Sequence, residues 1–279
     1  MGGITLFSEV LGREVIVPER PSRIISLSPA LTEILYMIGV WDRVVGVSVF
    51  DHKPPEAREK PKVGSYYKVN YRLMEELKPD LVLVTTGAQR RVLEELAEKY
   101  TVYPIPLPIS VSGVIDQVVE VGVVVGELER ARELQADLIS KAARLRGALK
   151  GVRAYYEVFL GGPVTAGGHT YIVDAFRLLG IETPFEAVRT TWITDPPVNV
   201  VKEFDPDVII YEPSPYVEVN VENVLRDFEN RGLGELKAVK ERRIIIMPPD
   251  SLAHYGPSLL DTLENLAEQV RKAIGGSVE

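Results

Sequence analysis

Short apolar runs alternate with amphipathic stretches along most of the chain, and the spacing of the apolar positions switches between strand-like and helix-like periods. Residues 4–8 and 14–17 flank a turn containing Gly12 and predict an opening hairpin. Arg23-Ile24-Ile25-Ser26-Leu27 predicts a short buried strand. Ser28-Pro29 follows it, with Leu31, Ile34, Leu35 and Ile38 on one face before Gly39. That is a helix with Ser at its N-cap, Pro at its first position and Gly just past its end. Residues 44–49, 80–85 and 101–106 predict further strands, and 88–100 a helix between the last two. Strands alternating with helices predict a parallel α/β sheet.

From Val111 to Leu149 the apolar positions recur near a period of 3.6 with no proline between them, which predicts one long helix. At 1.5 Å per residue it would extend about 55 Å, longer than a single small domain, and so reads as a spine. After Gly151 the α/β pattern resumes, with strands at 152–160, 207–211 and 243–247, a helix at 170–179, and a closing amphipathic helix carrying Leu259, Leu263, Leu266, Val270 and Ile274. The two halves echo one another: LKPDLVL over residues 77–83 matches FDPDVII over 204–210, each a helix end, a Pro-Asp turn and a buried strand. The expected organisation is an N-terminal α/β lobe over 1–110, a spine helix over 111–150 and a similar α/β lobe over 151–279, with the ligand cleft between the lobes.

Composition narrows the function classes. With 46% hydrophobic and 26% charged residues the chain is globular, and a net charge of −8 excludes a phosphate backbone as the expected partner. Disulfides, thiolate metal sites and cysteine nucleophiles are excluded by the absence of cysteine. No signal-peptide pattern opens the sequence and no apolar stretch is long enough to span a bilayer, so the chain is expected to be soluble as it stands.

The phosphate-loop, dinucleotide, nucleophile-elbow and His-Glu-x-x-His fingerprints are missing, which lowers the expectation of an enzyme. Instead, aromatic and polar residues stand in turn-rich segments between the strands: Phe50 and His52 before Pro54-Pro55, Tyr66 and Tyr67 after Gly64, Arg189 and Trp192 before Pro196-Pro197, and His254 and Tyr255 before Pro257. Flat rings on rigid loops suit the face of a large planar ligand; packing under a loop is the commoner explanation for any one of them, and it is four such loops, two in each half, that point to a shared site. Thr165-Ala166-Gly167-Gly168-His169-Thr170 reads either as a turn aiming backbone N–H groups at an anionic or amide-rich ligand from a helix N-terminus, or as a tight turn that needs glycine. His52, His169 and His254 are the only histidines; with Asp51 or Asp195 they form an alternative site for zinc or manganese, with no recognised motif spacing.

The order of RIISLSPALTEILYMIG (23–39), VVGVS (44–48), KVGSY (62–66), LKPDLV (77–82), the long helical stretch, TAGG (165–168) and FDPDVII (204–210) resembles the periplasmic binding proteins that serve ABC importers of cobalamin, ferric siderophores and haem. The resemblance runs over nearly the whole length. It implies two α/β lobes joined by a rigid helix, reversible ligand binding without catalysis, no cofactor, and an extracytoplasmic monomer, its leader absent from this sequence, that delivers its ligand to a membrane permease and its ATPase.

The cobalamin branch is most similar, and it implies Phe50, Tyr66 and Trp192 against the corrin, with His254 and Tyr255 closing the far side. A tyrosine at 66 also resembles haem binders that use a phenolate, and Arg189 is the candidate a ferric-siderophore carrier would use. Family members place a glutamate at the start of a short helix on each lobe to meet basic residues of the permease. Those positions hold Arg72 and, approximately, Asn199 here, so Glu75, Glu76 and Glu203 are the expected docking residues.

Overall fold

The computed structural model describes residues 2–65, 67–87, 90–215 and 217–275. The chain divides into two compact units, Met1–Pro108 with Val114–Ile139, and Ile109–Gly113 with Ser140–Glu279. In the first, β1 (Gly3–Ser8) and β2 (Arg13–Pro18) form the predicted antiparallel hairpin, Ile4 opposite Val17 and Leu6 opposite Val15. β3 (Ile24–Ser26) leads into α1 (Pro29–Met37), which starts at Pro29 behind an extended Ser28 and ends before Gly39 at φ 75°. β4 (Val44–Ser48), β5 (Lys62–Gly64), α2 (Tyr71–Leu77), β6 (Leu81–Thr85), α3 (Arg90–Ala97) and β7 (Val102–Ile105) complete the sheet and its covering helices. The strands pair in parallel in the order β5-β4-β3-β6-β7. Every residue of β6 is buried, as a strand covered on both faces should be.

The single helix expected over 111–149 is two helices, α4 (Val111–Val125) and α5 (Leu128–Leu145). Gly126, at φ 74°, ends the first, and the Glu127 N–H returns to the Gly122 carbonyl at 2.8 Å, the bond that closes a glycine-terminated helix. Glu127 is held there by Arg43 and, at 3.4 Å, by Arg20. The expected separate spine is also not a third part of the chain, because residues 114–139 group with the first unit and 140 onward with the second.

The second unit contains β8 (Ala154–Phe159), β9 (Pro163–Ala166), α6 (Tyr171–Leu179), β10 (Trp192–Thr194), α7 (Val198–Phe204), β11 (Val208–Glu212), α8 (Val221–Asn230), α9 (Lys237–Lys240), β12 (Ile244–Ile246) and α10 (Leu259–Ala273). Its order is β10-β9-β8-β11-β12, so the first strand of each sheet lies at the centre and the chain winds outward on both sides. This is the same plan twice, with one difference: β9 runs antiparallel to both β8 and β10. Its core packs Tyr155 edge-on against Phe185 and Phe228, beside Ile209 and Leu233.

Candidate functional site

In the first unit the candidate residues stand on the segments that leave β4 and β5. Asp51 folds the first of these back: its Oδ2 accepts the Ser48 N–H at 3.0 Å and the Ser48 hydroxyl, and Ser48 Oγ in turn accepts the Phe50 N–H at 3.2 Å. Asp51 is buried, and the Lys62 ammonium crosses beneath it to the Asp51 carbonyl at 2.9 Å. Burial raises the Asp51 carboxyl above its ordinary range against the opposing hydrogen bonds from Ser48 and Thr32 and the Lys62 charge. The result is a rigid turn with the Phe50 ring 39% exposed and His52 Nδ1 2.9 Å from the Phe50 carbonyl. After β5, Tyr67 is 74% exposed. Tyr66 lies outside the described residues.

In the second unit Gly168, His169, Arg189, Trp192 and Tyr255 gather around the start of α6. Thr170 caps that helix by accepting the Val173 N–H at 3.2 Å. Just before it, the N–H groups of Gly167, Gly168 and His169 donate to the carbonyls of Thr191, Val188 and Thr190 at 2.8, 2.8 and 3.0 Å. These donors are therefore engaged within the unit and leave no anion cradle, and what requires glycine here is a close backbone crossing rather than the positive φ of a tight turn. A Cβ on Gly168 would stand 2.1 Å from the Glu186 carbonyl oxygen, and one on Gly167 2.4 Å from that of Thr190. The crossing fixes the segment that carries Arg189 and Trp192. Trp192 begins β10 opposite Ala166 and is 37% exposed; Arg189 and His169 are exposed.

Tyr171, the first residue of α6, meets Tyr255 edge-on at 5.9 Å between ring centroids and donates its hydroxyl to the Leu252 carbonyl at 3.0 Å. Tyr255 is half-buried, whereas His254 is 5% exposed and presents little surface to any ligand in this conformation. Beneath this segment lies Glu212, buried at the end of β11 and accepting the Tyr156 hydroxyl at 2.9 Å and the Ser251 N–H at 2.9 Å. Burial pushes its carboxyl up to about 7 in spite of those donors, and lifts the Tyr156 phenol well above its ordinary range. Sequence reasoning did not single out Glu212. Its one signal is a charged residue ending the apolar run Val208-Ile209-Ile210-Tyr211, with partners about forty positions downstream.

A groove of about 690 Å³ opens beside this segment, past the ends of β11 and β12, lined among others by Pro213, Pro215, Val217, Met247, Pro248 and Pro249. Among the described residues, none of the expected ligand residues lines it. Among the described residues no group of three His, Asp or Glu side chains is placed to hold a metal ion, so the zinc or manganese alternative has no ligand set to rest on.

The expected docking residues stand on equivalent helices. Each of α2 and α7 ends in a left-handed cap, Lys78 at φ 45° and Asp205 at φ 42°, and Glu76 and Glu203 occupy the same place two residues before it. Both are exposed, as is Glu75, and Glu76 pairs with Arg72 at 3.2 Å.

The sequence profile of the periplasmic binding protein family matches residues 24–251. The uncharacterised ABC transporter substrate-binding lipoprotein YvrC of Bacillus subtilis (strain 168) is 28% identical over 269 residues, spanning 92% of this chain and 82% of its own. The vitamin B12-binding protein of Photorhabdus laumondii is 25% identical over 264 residues, 90% of this chain and 88% of its own. Among solved structures, the periplasmic haem-binding protein RhuT of Roseiflexus sp. RS-1 in its apo form shares the fold with a TM-score of 0.78 at 22% identity, covering 91% of this chain and 99% of that one.

Proposed function

The chain belongs to the periplasmic binding protein family, which binds solutes and is not enzymatic, and serves as the substrate-binding component of an ABC importer; from that premise we propose that its solute is cobalamin or a related corrinoid. The observation that carries this reading is the exposed indole of Trp192, fixed by strand pairing and by the glycine crossing beside the start of α6, where Tyr255 also stands. The first unit by itself presents the Phe50 ring from a turn that Asp51 locks. Flat, immobilised rings give a corrin large contact area while little side-chain entropy is lost on binding. The Photorhabdus relative named for vitamin B12 supports the assignment.

Calorimetric titration of the full chain with cyanocobalamin, with haemin and Zn²⁺ in parallel, tests it. Saturable one-to-one binding of cyanocobalamin is expected; no heat with cyanocobalamin and strong binding of haemin would transfer the chain to the haem carriers. The largely exposed phenol of Tyr67 favours that second reading, because a phenolate is a good ligand for ferric iron.

Delivery to the permease falls to Glu76 and Glu203, which the duplicated plan sets at matching places on α2 and α7, with Glu75 beside the first. Exposed carboxylates at such positions steer and orient a basic partner. The site of action is the extracytoplasmic face of the membrane, as the family and its lipoprotein relative suggest.

A further inference from the structure

Glu212 ties together three parts of the second unit. Its Oε2 accepts the Tyr156 hydroxyl from β8 at 2.9 Å, its Oε1 accepts the Ser251 N–H at 2.9 Å, and the N–H groups of Leu252 and Ala253 point to the same carboxylate at 3.3 Å and 3.2 Å. Three consecutive N–H groups converging on one side chain need a group that only accepts. A carboxylate does so with both oxygens, whereas a carboxamide would turn an NH₂ toward one of the donors. From the other side Tyr171 holds the Leu252 carbonyl at 3.0 Å, so residues 251–253 are pinned between β8, β11 and α6. The next two residues are His254 and Tyr255. Nothing in strand geometry requires a charge at the buried end of β11: the equivalent last residue of β6 in the first unit is Thr85.

From this geometry we infer that Glu212 is the positioning residue of the second unit's solute surface: without touching the solute, it fixes the backbone that presents Tyr255 and seats His254. The inference rests on the reading above that this segment faces the solute. A ring system then meets a surface already in place, and the ordering of five residues does not have to accompany binding. Without the carboxylate, residues 251–253 lose the anchor of three consecutive N–H groups and keep only the Tyr171 bond from the other side, so the segment loosens while both neighbouring strands keep their pairing.

The test compares wild type, Glu212→Gln and Tyr156→Phe as full chains at about pH 8, where the wild-type carboxyl is ionised, by amide hydrogen exchange without ligand and by titration with cyanocobalamin and haemin. In Glu212→Gln the amides of 251–253 are expected to exchange at least about tenfold faster while those of β8 and β11 keep their protection, and the affinity for whichever probe the wild type binds to fall about tenfold. Tyr156→Phe keeps all three backbone bonds and removes one donor, so a smaller change of both kinds is expected, and it decides the matter should Glu212→Gln not fold. Unchanged exchange at 251–253 would overturn the anchoring, and faster exchange with undiminished affinity would overturn the positioning role. Wild-type protein that bound neither probe would sink the ligand reading, while the exchange result would still decide whether Glu212 holds the segment.

Discussion

Arg23 and Asp80 exchange two hydrogen bonds: the Asp80 N–H donates to the Arg23 carbonyl at 3.0 Å, and the Asp80 carboxylate accepts the Arg23 N–H at 2.9 Å. The second unit repeats the pair with Asp207 and Arg153 at 2.8 and 3.1 Å. In both units the aspartate follows a left-handed helix cap and a proline, and the arginine immediately precedes the central strand. The Pro-Asp turn is thus a latch that sets the register between the first and fourth strands of each sheet.

Removing the latch is expected to destabilise either unit. Asp80→Ala loses bonds from Ser22 N–H, Ser22 hydroxyl and Arg23 N–H, and Asp207→Ala those from Arg153 N–H and Lys237. Each should cost about 1–3 kcal/mol in urea unfolding, with the two losses adding because the sites share no partner. A double variant no worse than either single one would show that the latches are not independent.

Gly126→Ala tests the break between α4 and α5. The residue stands at φ 74°, and a Cβ would lie 2.5 Å from the Glu19 carbonyl oxygen, so a loss of about 2 kcal/mol or more is expected by thermal unfolding. A neutral or stabilising effect would mean that the two helices can merge into the continuous one that the sequence pattern suggests.

The raised carboxyl of Glu212 sets a pH dependence. Its ordinary value is 4.5 and its folded value about 7, so the folded state holds the proton more tightly than the unfolded one. That contribution to stability is complete below pH 4.5 and is lost as pH rises through about 7, on the order of 3 kcal/mol in all. Unfolding free energies of wild type and Glu212→Gln measured from pH 4.5 to 8 should therefore differ in slope over this window, the wild type falling more steeply. Parallel curves would place the titration of Glu212 elsewhere.

For binding, Trp192→Ala and Phe50→Ala are each expected to weaken cyanocobalamin by about 5–30-fold in calorimetry, the range for truncating an aromatic anchor. Glu76→Lys combined with Glu203→Lys should leave that affinity unchanged and abolish delivery in a reconstituted importer. Intact delivery would move docking to other residues.

Much of the fold was legible because its signals are local. Ser28-Pro29 and Gly39 bracket α1 as their backbone preferences require, and the repeated Pro-Asp motif announces the duplicated plan. The helix break was less visible: the apolar period continues through it, and the deciding facts are the left-handed Gly126 and the Arg43 that meets Glu127 from 84 positions away. At the candidate site the exposed rings were found by residue type, since aromatics in turns are conspicuous. Glu212 and the engaged N–H groups of residues 167–169 were not, because each is defined by its partners: Ser251 and Tyr156 for the first, Val188, Thr190 and Thr191 for the second.

The reversed β9 separates the two units in the order of their assembly. β8 and β9 are joined by Leu160, Gly161 and Gly162 alone, so their pairing closes a loop of three residues, whereas every pair in the parallel sheet of the first unit must wait for a crossover. Short loops close early, and a chain emerging from denaturant should acquire the 158–164 hairpin before the β3–β4 ladder. Pulse-labelled exchange during refolding would then find the second sheet nucleated at its central strand β8 and the neighbouring β9, on the side that leads to Trp192, before the parallel ladders of the first unit are protected.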